Sequence, residues 1–520
     1  MVLGKIYRNK NGRVETFTAT SEDYYLFGGP LKPEQFPDDI RPHLIPEPTG
    51  EMVYRCLECG AEFAITELLY TCPHCRGLFM LEDKNAARLA ERPGAFWRRL
   101  FDYRRMLNLP ALNGIFRYYE LIAPVIPLKD IIYLGEAHTP QVAANPELSS
   151  EVGLPFYFKN DGQNPSASFK DRGMAAALSY LNFLVGQPGA GKMLAICAST
   201  GDTSASAALY SSYLGEKVAS AVILPQGKVT PQQLAQPLGS GAQVLEIPGV
   251  FDDCMKVVES LADNYQVALL NSKNSWRIRG QESYAYEIAQ TFDYDLTNKA
   301  VVAPIGNAGN ITAIMGGFLR LHDLNIIDTL PRVIGVQSRH ADPVFRYYLE
   351  PDAAKRVFVP VTVQPSVAQA AMIGNPVSMP RVIRLAEEYH RRAGAGAVAV
   401  VQVSEQEIMD SMLLANRHGH IACTQGGESL AGLRAALAAG LLGRDETPVL
   451  DATAHHLKFI GFQQMYFEDS FPPEFEVTPK AAYRNRPRLL TPKTDKPEEK
   501  TADLAGQIAA LLELTPKAGR

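Results

Sequence analysis

An alternation dominates this sequence. From about residue 150 onward, short apolar runs rich in β-branched residues are separated by helical stretches. Residues 154–159, 193–198, 218–224, 242–247, 301–305, 333–337, 398–403 and 447–450 read as buried strands. Between them lie helices over 203–214, 251–264, 276–292, 311–324 and 405–417. Ser404, with Glu407 three residues later, makes a capping box that starts the last of these. Strand and helix in turn give an open, mostly parallel sheet with helices on both faces, a doubly wound α/β fold. Ligands in such folds sit beyond the carboxyl ends of the strands, in the loops that lead into helices.

The 520 residues suffice for several domains of about 150 residues each. Basic and acidic side chains number 51 and 56, and the resulting charge of −5 gives no electrostatic footprint for a nucleic-acid backbone. No apolar run approaches the ~18 residues of a membrane span, and the opening MVLGKIYRNK lacks the apolar core of a signal peptide. The expectation is a cytoplasmic protein with neither nucleic-acid nor membrane partners.

Four of the seven cysteines, Cys56, Cys59, Cys72 and Cys75, form two CxxC pairs separated by twelve residues. Each pair sets two thiolates on a tight knuckle, and two knuckles together offer the closed sulfur tetrahedron that structural zinc prefers. The expectation is a zinc ribbon over residues 51–90; the bland reading is a set of reduced thiols that no longer bind metal. Cys197, Cys254 and Cys423 read as ordinary buried thiols.

Some motifs mislead. Gly186 to Lys192 (GQPGAGK) imitates a phosphate-binding loop, but Met193 stands where a hydroxyl would hold magnesium, and the segment precedes a strand. Gly394, Gly396 and Ala399 likewise lead into a strand, the wrong polarity for a dinucleotide fingerprint. His455 and His456 have no metal-ligand spacing around them and read as helix-start or lining residues.

Three strand-to-helix loops have compositions suited to anions or a cofactor. Residues 164–172 (NPSASFKDR) put Lys170 at the start of a helix, where the positive end of the macrodipole favours a neutral amine. Alone, such a cluster is usually solvated charge. The loop Ser199, Thr200, Gly201, Asp202, Thr203, Ser204 suits a carboxylate or phosphate, and equally a well-capped helix. The small residues of Gly306, Asn307, Ala308, Gly309 and Asn310 allow a backbone to approach a phosphate closely.

In this order the loops resemble those of the threonine synthases, pyridoxal-phosphate enzymes of fold type II, for which SFKDR is characteristic. The likeness extends through GIFRYYE (114–120), GEAHTP (135–140), ASTGDTSAS (198–206), NSKNSWRIRG (271–280), GNAGNI (306–311) and TAHHLKF (453–459), and covers roughly residues 50–465. It implies a tryptophan synthase β-like pair of parallel-sheet α/β lobes behind an N-terminal zinc ribbon. The expected layout is the ribbon over 51–90 and a catalytic region over 91–470 with its smaller lobe near 175–295; outside the resemblance lie an extension over 1–50 and a tail over 471–520, whose residues 502–514 read as a short amphipathic helix.

The resemblance also implies roles. Lys170 matches the lysine that binds pyridoxal 5'-phosphate and then shuttles protons, with Phe169 beside it. Gly306, Asn307, Ala308, Gly309 and Asn310 match the cofactor-phosphate loop. Asp202 lies near the pyridine hydroxyl, and Thr453 faces the pyridine nitrogen, where a hydroxyl gives a milder electron sink. Asn271, Ser272 and Arg277 match the site for the substrate's own phosphate. Ser199, Thr200 and Thr203 line the substrate's carboxylate and phosphate side, with Lys228 a further candidate. The implied reaction turns O-phospho-L-homoserine and water into L-threonine and phosphate, in a homodimer as is usual in the family. Alternatives are a phosphoserine-using replacement enzyme such as a cysteate synthase, and a non-catalytic zinc-ribbon binding protein. The chain departs from the family's usual NPTGSFKDR in having Ala167 for glycine and from GNTP in having Ala137 and His138.

Overall fold

The computed structural model describes residues 2–10, 13–20, 35–107, 109–199, 201–226, 231–249 and 251–515. The chain opens with an antiparallel hairpin, β1 (Val2–Lys10) and β2 (Arg13–Thr20), in a region whose sequence shows no clear period. Then β3 (Met52–Cys56), β4 (Glu62–Ala64) and β5 (Phe79–Asp83) form a small antiparallel sheet in the order β4-β3-β5. It carries the four cysteines, whose sulfurs all lie within 4.8 Å of one another.

Two larger sheets follow. Strands β6 (Gln141–Ala143) and β7 (Tyr157–Lys159) begin the larger one. The chain leaves it for four parallel strands, β8 (Met193–Ala198), β9 (Val218–Pro225), β10 (Gln243–Ile247) and β11 (Val267–Leu269), ordered β10-β9-β8-β11. It returns with β12 (Lys299–Pro304), β13 (Arg332–Ser338), β14 (Val398–Val403) and β15 (Thr447–Asp451). The larger sheet is thus β14-β13-β12-β15-β7-β6, with only β6 antiparallel.

Packing explains the pattern of the sequence. In β12, alternate residues feed two cores: Val301 and Ala303 face one, Ala300 and Val302 the other. A strand covered on both faces needs no polar alternation, so it reads as a continuous apolar run. At the edge of the smaller sheet β10 is mostly uncovered and carries Glu246. The expected capping box is present, with the Glu407 N–H donating to Ser404 Oγ (3.3 Å) and the Ser404 N–H to Glu407 Oε2 (2.7 Å).

The structure corrects several expectations. The strand expected over 154–159 shortens to β7; Phe156 still accepts from the Ala144 N–H (2.9 Å) at the end of the β6–β7 pairing, and Leu154 is buried before it. The helix expected over 276–292 is two, Ser275–Gln281 and Ser283–Thr291, which meet at Glu282; its carboxylate accepts from Arg320 Nε (2.9 Å) and Tyr286 Oη (2.7 Å). The tail helix spans Pro497–Leu511, five residues earlier than expected at its start, with Pro497 in the first turn where no N–H is needed. Among the described residues no helix is long and apolar enough to cross a membrane.

Candidate active site

The lysine loop joins β7 to the helix Lys170–Val185. It is stitched to the segment after β15: the Phe169 N–H donates to the Thr453 carbonyl (2.8 Å), and the His455 N–H to the Ala167 carbonyl (3.0 Å). Behind it Arg172 forks onto Asp161 (Nε to Oδ2 2.7 Å, Nη2 to Oδ1 2.8 Å) and reaches Glu287 (Nη2 to Oε2 2.9 Å). Lys159 Nζ donates to the same Glu287 carboxylate (2.7 Å). Two cations and two carboxylates balance in this buried network, which is what permits it to be buried.

Lys170 itself stands 4.0 Å from the Phe169 ring centroid. Desolvation and then the charge of Arg277 push its amine down to about 7. Asp202, Asp451 and Lys458 also act on it electrostatically. Asp202 follows β8, Arg277 follows β11, and Asp451 ends β15 with Lys458 beyond it, so the carboxyl ends of strands from both sheets converge on this amine.

Arg277 is buried, donates through Nη1 to the Leu270 carbonyl (2.9 Å), and keeps a buried Nε without a partner. Burial pushes its guanidinium down to about 10, and among the described residues no carboxylate pairs with it. Asn271, six residues earlier, commits its carboxamide to the backbone of Ala198 at the end of β8 (Nδ2 to O 3.0 Å, N–H to Oδ1 3.2 Å). Ser272 is half-buried on the same turn. Ser199 Oγ accepts from the Gly201 N–H (3.2 Å), and Thr203 lies in the first turn of the helix Asp202–Tyr213. Thr200 and Lys228 lie outside the described residues.

The loop Gly306 to Asn310 follows β12 and opens the helix Gly309–Asp323. A Cβ on Gly306 would approach Ala371 Cα to 3.0 Å, and Ala308 adopts φ +61°, so the turn is tight. Asn310 Nδ2 donates to Asp451 Oδ2 (2.7 Å), and the Ser378 N–H to the Asn307 carbonyl (3.1 Å). A tight turn entering a helix N-terminus and a lysine amine pushed down to about 7 together fit an aldehyde cofactor that carries a phosphate.

Four functional candidates escaped sequence reasoning. Asp451 is buried, and desolvation together with Asp161 holds its carboxyl well above the usual range. Lys458 Nζ lies 3.1 Å from Asp202 Oδ1 and donates to the Ser166 carbonyl (2.9 Å) and Gln236 Oε1 (2.7 Å), so it joins three segments. Cys423 Sγ is 3.6 Å from Thr453 Oγ1. Arg381 is fully buried. Only Lys458 stood inside a motif that had been singled out. His455 proves a helix-start residue, its Nδ1 accepting from the Leu457 N–H (3.2 Å).

Comparison with known proteins agrees with this geometry. Residues 132–451 match the family described as pyridoxal-phosphate dependent enzyme. The chain is 35% identical over 416 residues to the threonine synthase of Methanocaldococcus jannaschii, covering 78% of this chain and 93% of that one. It is 32% identical over 448 residues to the chloroplastic threonine synthase 2 of Arabidopsis thaliana, covering 83% of each. In fold it is similar to the crystal structure of threonine synthase from Escherichia coli, with a TM-score of 0.59 at 18% identity over 87% of this chain and 94% of that one. By the family match and by these relatives, the chain belongs to the pyridoxal-phosphate dependent enzymes, in their threonine synthase branch.

Proposed function

We propose that this site converts O-phospho-L-homoserine and water into L-threonine and phosphate. The observation that carries the reading is Arg277, a buried guanidinium beside Lys170 with an unpartnered Nε and, among the described residues, no carboxylate. A phosphomonoester dianion supplies the missing counter-charge. Ser272 joins Arg277 at that phosphate, and Asn271 holds their turn against β8.

Pyridoxal phosphate, when bound, supplies the electron sink for carbanion chemistry. The 306–310 loop holds its phosphate, Thr453 is assigned to the pyridine nitrogen, and Asp202, charge-balanced by Lys458, to the ring hydroxyl. Lys170, whose amine is pushed down to about 7 and so exchanges protons readily at neutral pH, would take the α-proton and then a β-proton. Phosphate leaves from the γ-carbon. The α- and γ-carbons regain protons, the water hydroxyl adds at the β-carbon, and the remaining proton goes to the released phosphate. Purified enzyme given O-phosphohomoserine should release phosphate and threonine in equal amounts, and Lys170→Ala should abolish both the visible absorbance of bound cofactor and turnover. Phosphate release from phosphoserine in preference to phosphohomoserine would sink the substrate assignment.

The cysteines belong to the same reading as a structural zinc site. Cys56 and Cys75 sulfurs are 3.4 Å apart and those of Cys59 and Cys72 3.6 Å, close to the ~3.8 Å edge of a tetrahedron of thiolates around zinc. Metal analysis should find one zinc per chain. The active form on this reading is a cytoplasmic homodimer, which sedimentation of the purified enzyme checks for assembly.

A further inference from the structure

Arg381 lies in the helix Met379–Ala393, which no sequence motif singled out, and its side chain is fully buried. All of its N–H groups are used, and none by a carboxylate. Nε and Nη2 donate to the Phe79 carbonyl (3.1 and 2.7 Å), Nη1 to the Ser272 carbonyl (2.9 Å) and Ser378 Oγ (3.1 Å), and Nη2 to the Lys273 carbonyl (3.0 Å). Among the described residues no acidic side chain pairs with it, and burial pushes its guanidinium down to about 10. It therefore keeps a buried positive charge that the described protein does not neutralise.

Its acceptors belong to three different parts of the molecule. Ser272 and Lys273 form the turn assigned to the substrate phosphate. Ser378 donates its N–H to the Asn307 carbonyl, and the Val377 N–H reaches Asn307 Oδ1 (3.4 Å), which ties it to the loop assigned to the cofactor phosphate. Phe79 begins β5 of the cysteine module, and Ser275 Oγ also donates to its carbonyl (2.9 Å). Such geometry needs a planar fork of five donors; a lysine ammonium has three and no fixed plane.

We propose that Arg381 is a positioning residue that fixes the substrate-phosphate turn and the cofactor-phosphate loop relative to each other, using the cysteine module's Phe79 carbonyl as a third anchor, while its unneutralised charge favours both anions. This rests on the assignment of the two phosphate sites given above. A residue acting so must move both phosphate affinities together, whereas a local packing defect would lower stability alone.

The test compares wild type with Arg381→Lys, Ser378→Ala and Arg277→Ala. It measures the pyridoxal phosphate dissociation constant by absorbance titration of apoenzyme, the inhibition constant of inorganic phosphate, and KM and kcat for O-phosphohomoserine. Arg381→Lys keeps the charge and loses the fork, so it should weaken cofactor and inorganic phosphate each by about tenfold, with KM rising more than kcat falls. Ser378→Ala should weaken the cofactor by about threefold and leave the phosphate inhibition constant nearly unchanged. A folded Arg381→Lys with either affinity unchanged overturns the proposal. If that variant does not fold, Ser378→Ala decides: an unchanged cofactor constant overturns it. Arg277→Ala separates the two readings, since a phosphate inhibition constant indifferent to Arg277 removes the substrate-phosphate assignment itself, whatever Arg381 does.

Discussion

Ala167 occupies a left-handed backbone conformation, φ +64°, one residue before the isolated bridge that Ser168 makes with Ala454. A Cβ there crowds the following carbonyl, at a cost of roughly 1–2 kcal/mol that glycine avoids. Ala167→Gly should therefore stabilise the protein by about 1 kcal/mol after the extra freedom of glycine in the unfolded chain is deducted, as read from urea denaturation. Glu136 offers a test with pH. Its buried carboxyl accepts from Tyr210 Oη (2.9 Å) and the Leu134 N–H (3.0 Å) through one oxygen while the other has no partner, and burial pushes it up to about 7. The folded state then holds a proton that the unfolded state releases near pH 4.5. This group's contribution is fully present below pH 4.5 and is lost as pH rises through about 7, by roughly 3 kcal/mol at most. Glu136→Gln should flatten the fall in stability between pH 5 and 8, and denaturation curves at those two pH values would show it.

At the scale of elements, the capping box that was visible in the sequence is also the simplest to remove. Ser404→Ala should cost about 1 kcal/mol by loss of the cap to the Glu407 N–H. Much else was legible for the same reason, that local chemistry and global packing agree. Strands β8 and β14 and the helices Phe251–Asn264 and Glu405–Arg417 have the expected ends. What escaped is short or depends on distant partners. Strand β11 is three residues long and earns its place by pairing with β8, so no periodicity reveals it. The site was legible where a loop follows a strand, as at Lys170 and Gly306. It was not at Arg381 and Asp451, whose importance comes from what surrounds them: an arginine in an amphipathic helix looks like a surface charge until its neighbours prove to be carbonyl oxygens.

For the whole molecule, one face of each large sheet shares a core with the cysteine module, while the opposite faces are covered separately. Residues from the module, the helix Lys170–Val185 and β12 belong to one apolar cluster. Between the module and that helix, Trp276 stacks on Tyr180 (4.4 Å between ring centroids) and donates to Tyr54 Oη (3.0 Å). The tail differs. The helix Pro497–Leu511 buries no residue, and the hydrogen bonds around it, such as the Lys493 N–H to Asp503 Oδ2 (2.6 Å) and Gln507 Nε2 to the Thr491 carbonyl (3.1 Å), stay within the tail. Removal of everything after Leu489 should change the melting temperature by less than about 2 °C, within what surface changes produce, and leave turnover intact.

The carboxamide of Asn271 has one more consequence. By donating to and accepting from the backbone of Ala198, it serves as an extra rung where the β8–β11 ladder would otherwise stop. The turn that follows is thereby ordered during folding, so a bound anion need not restrict it further. Association with inorganic phosphate should show little unfavourable conformational entropy and a small heat-capacity change in calorimetry, the signature of a receptor already in its binding shape.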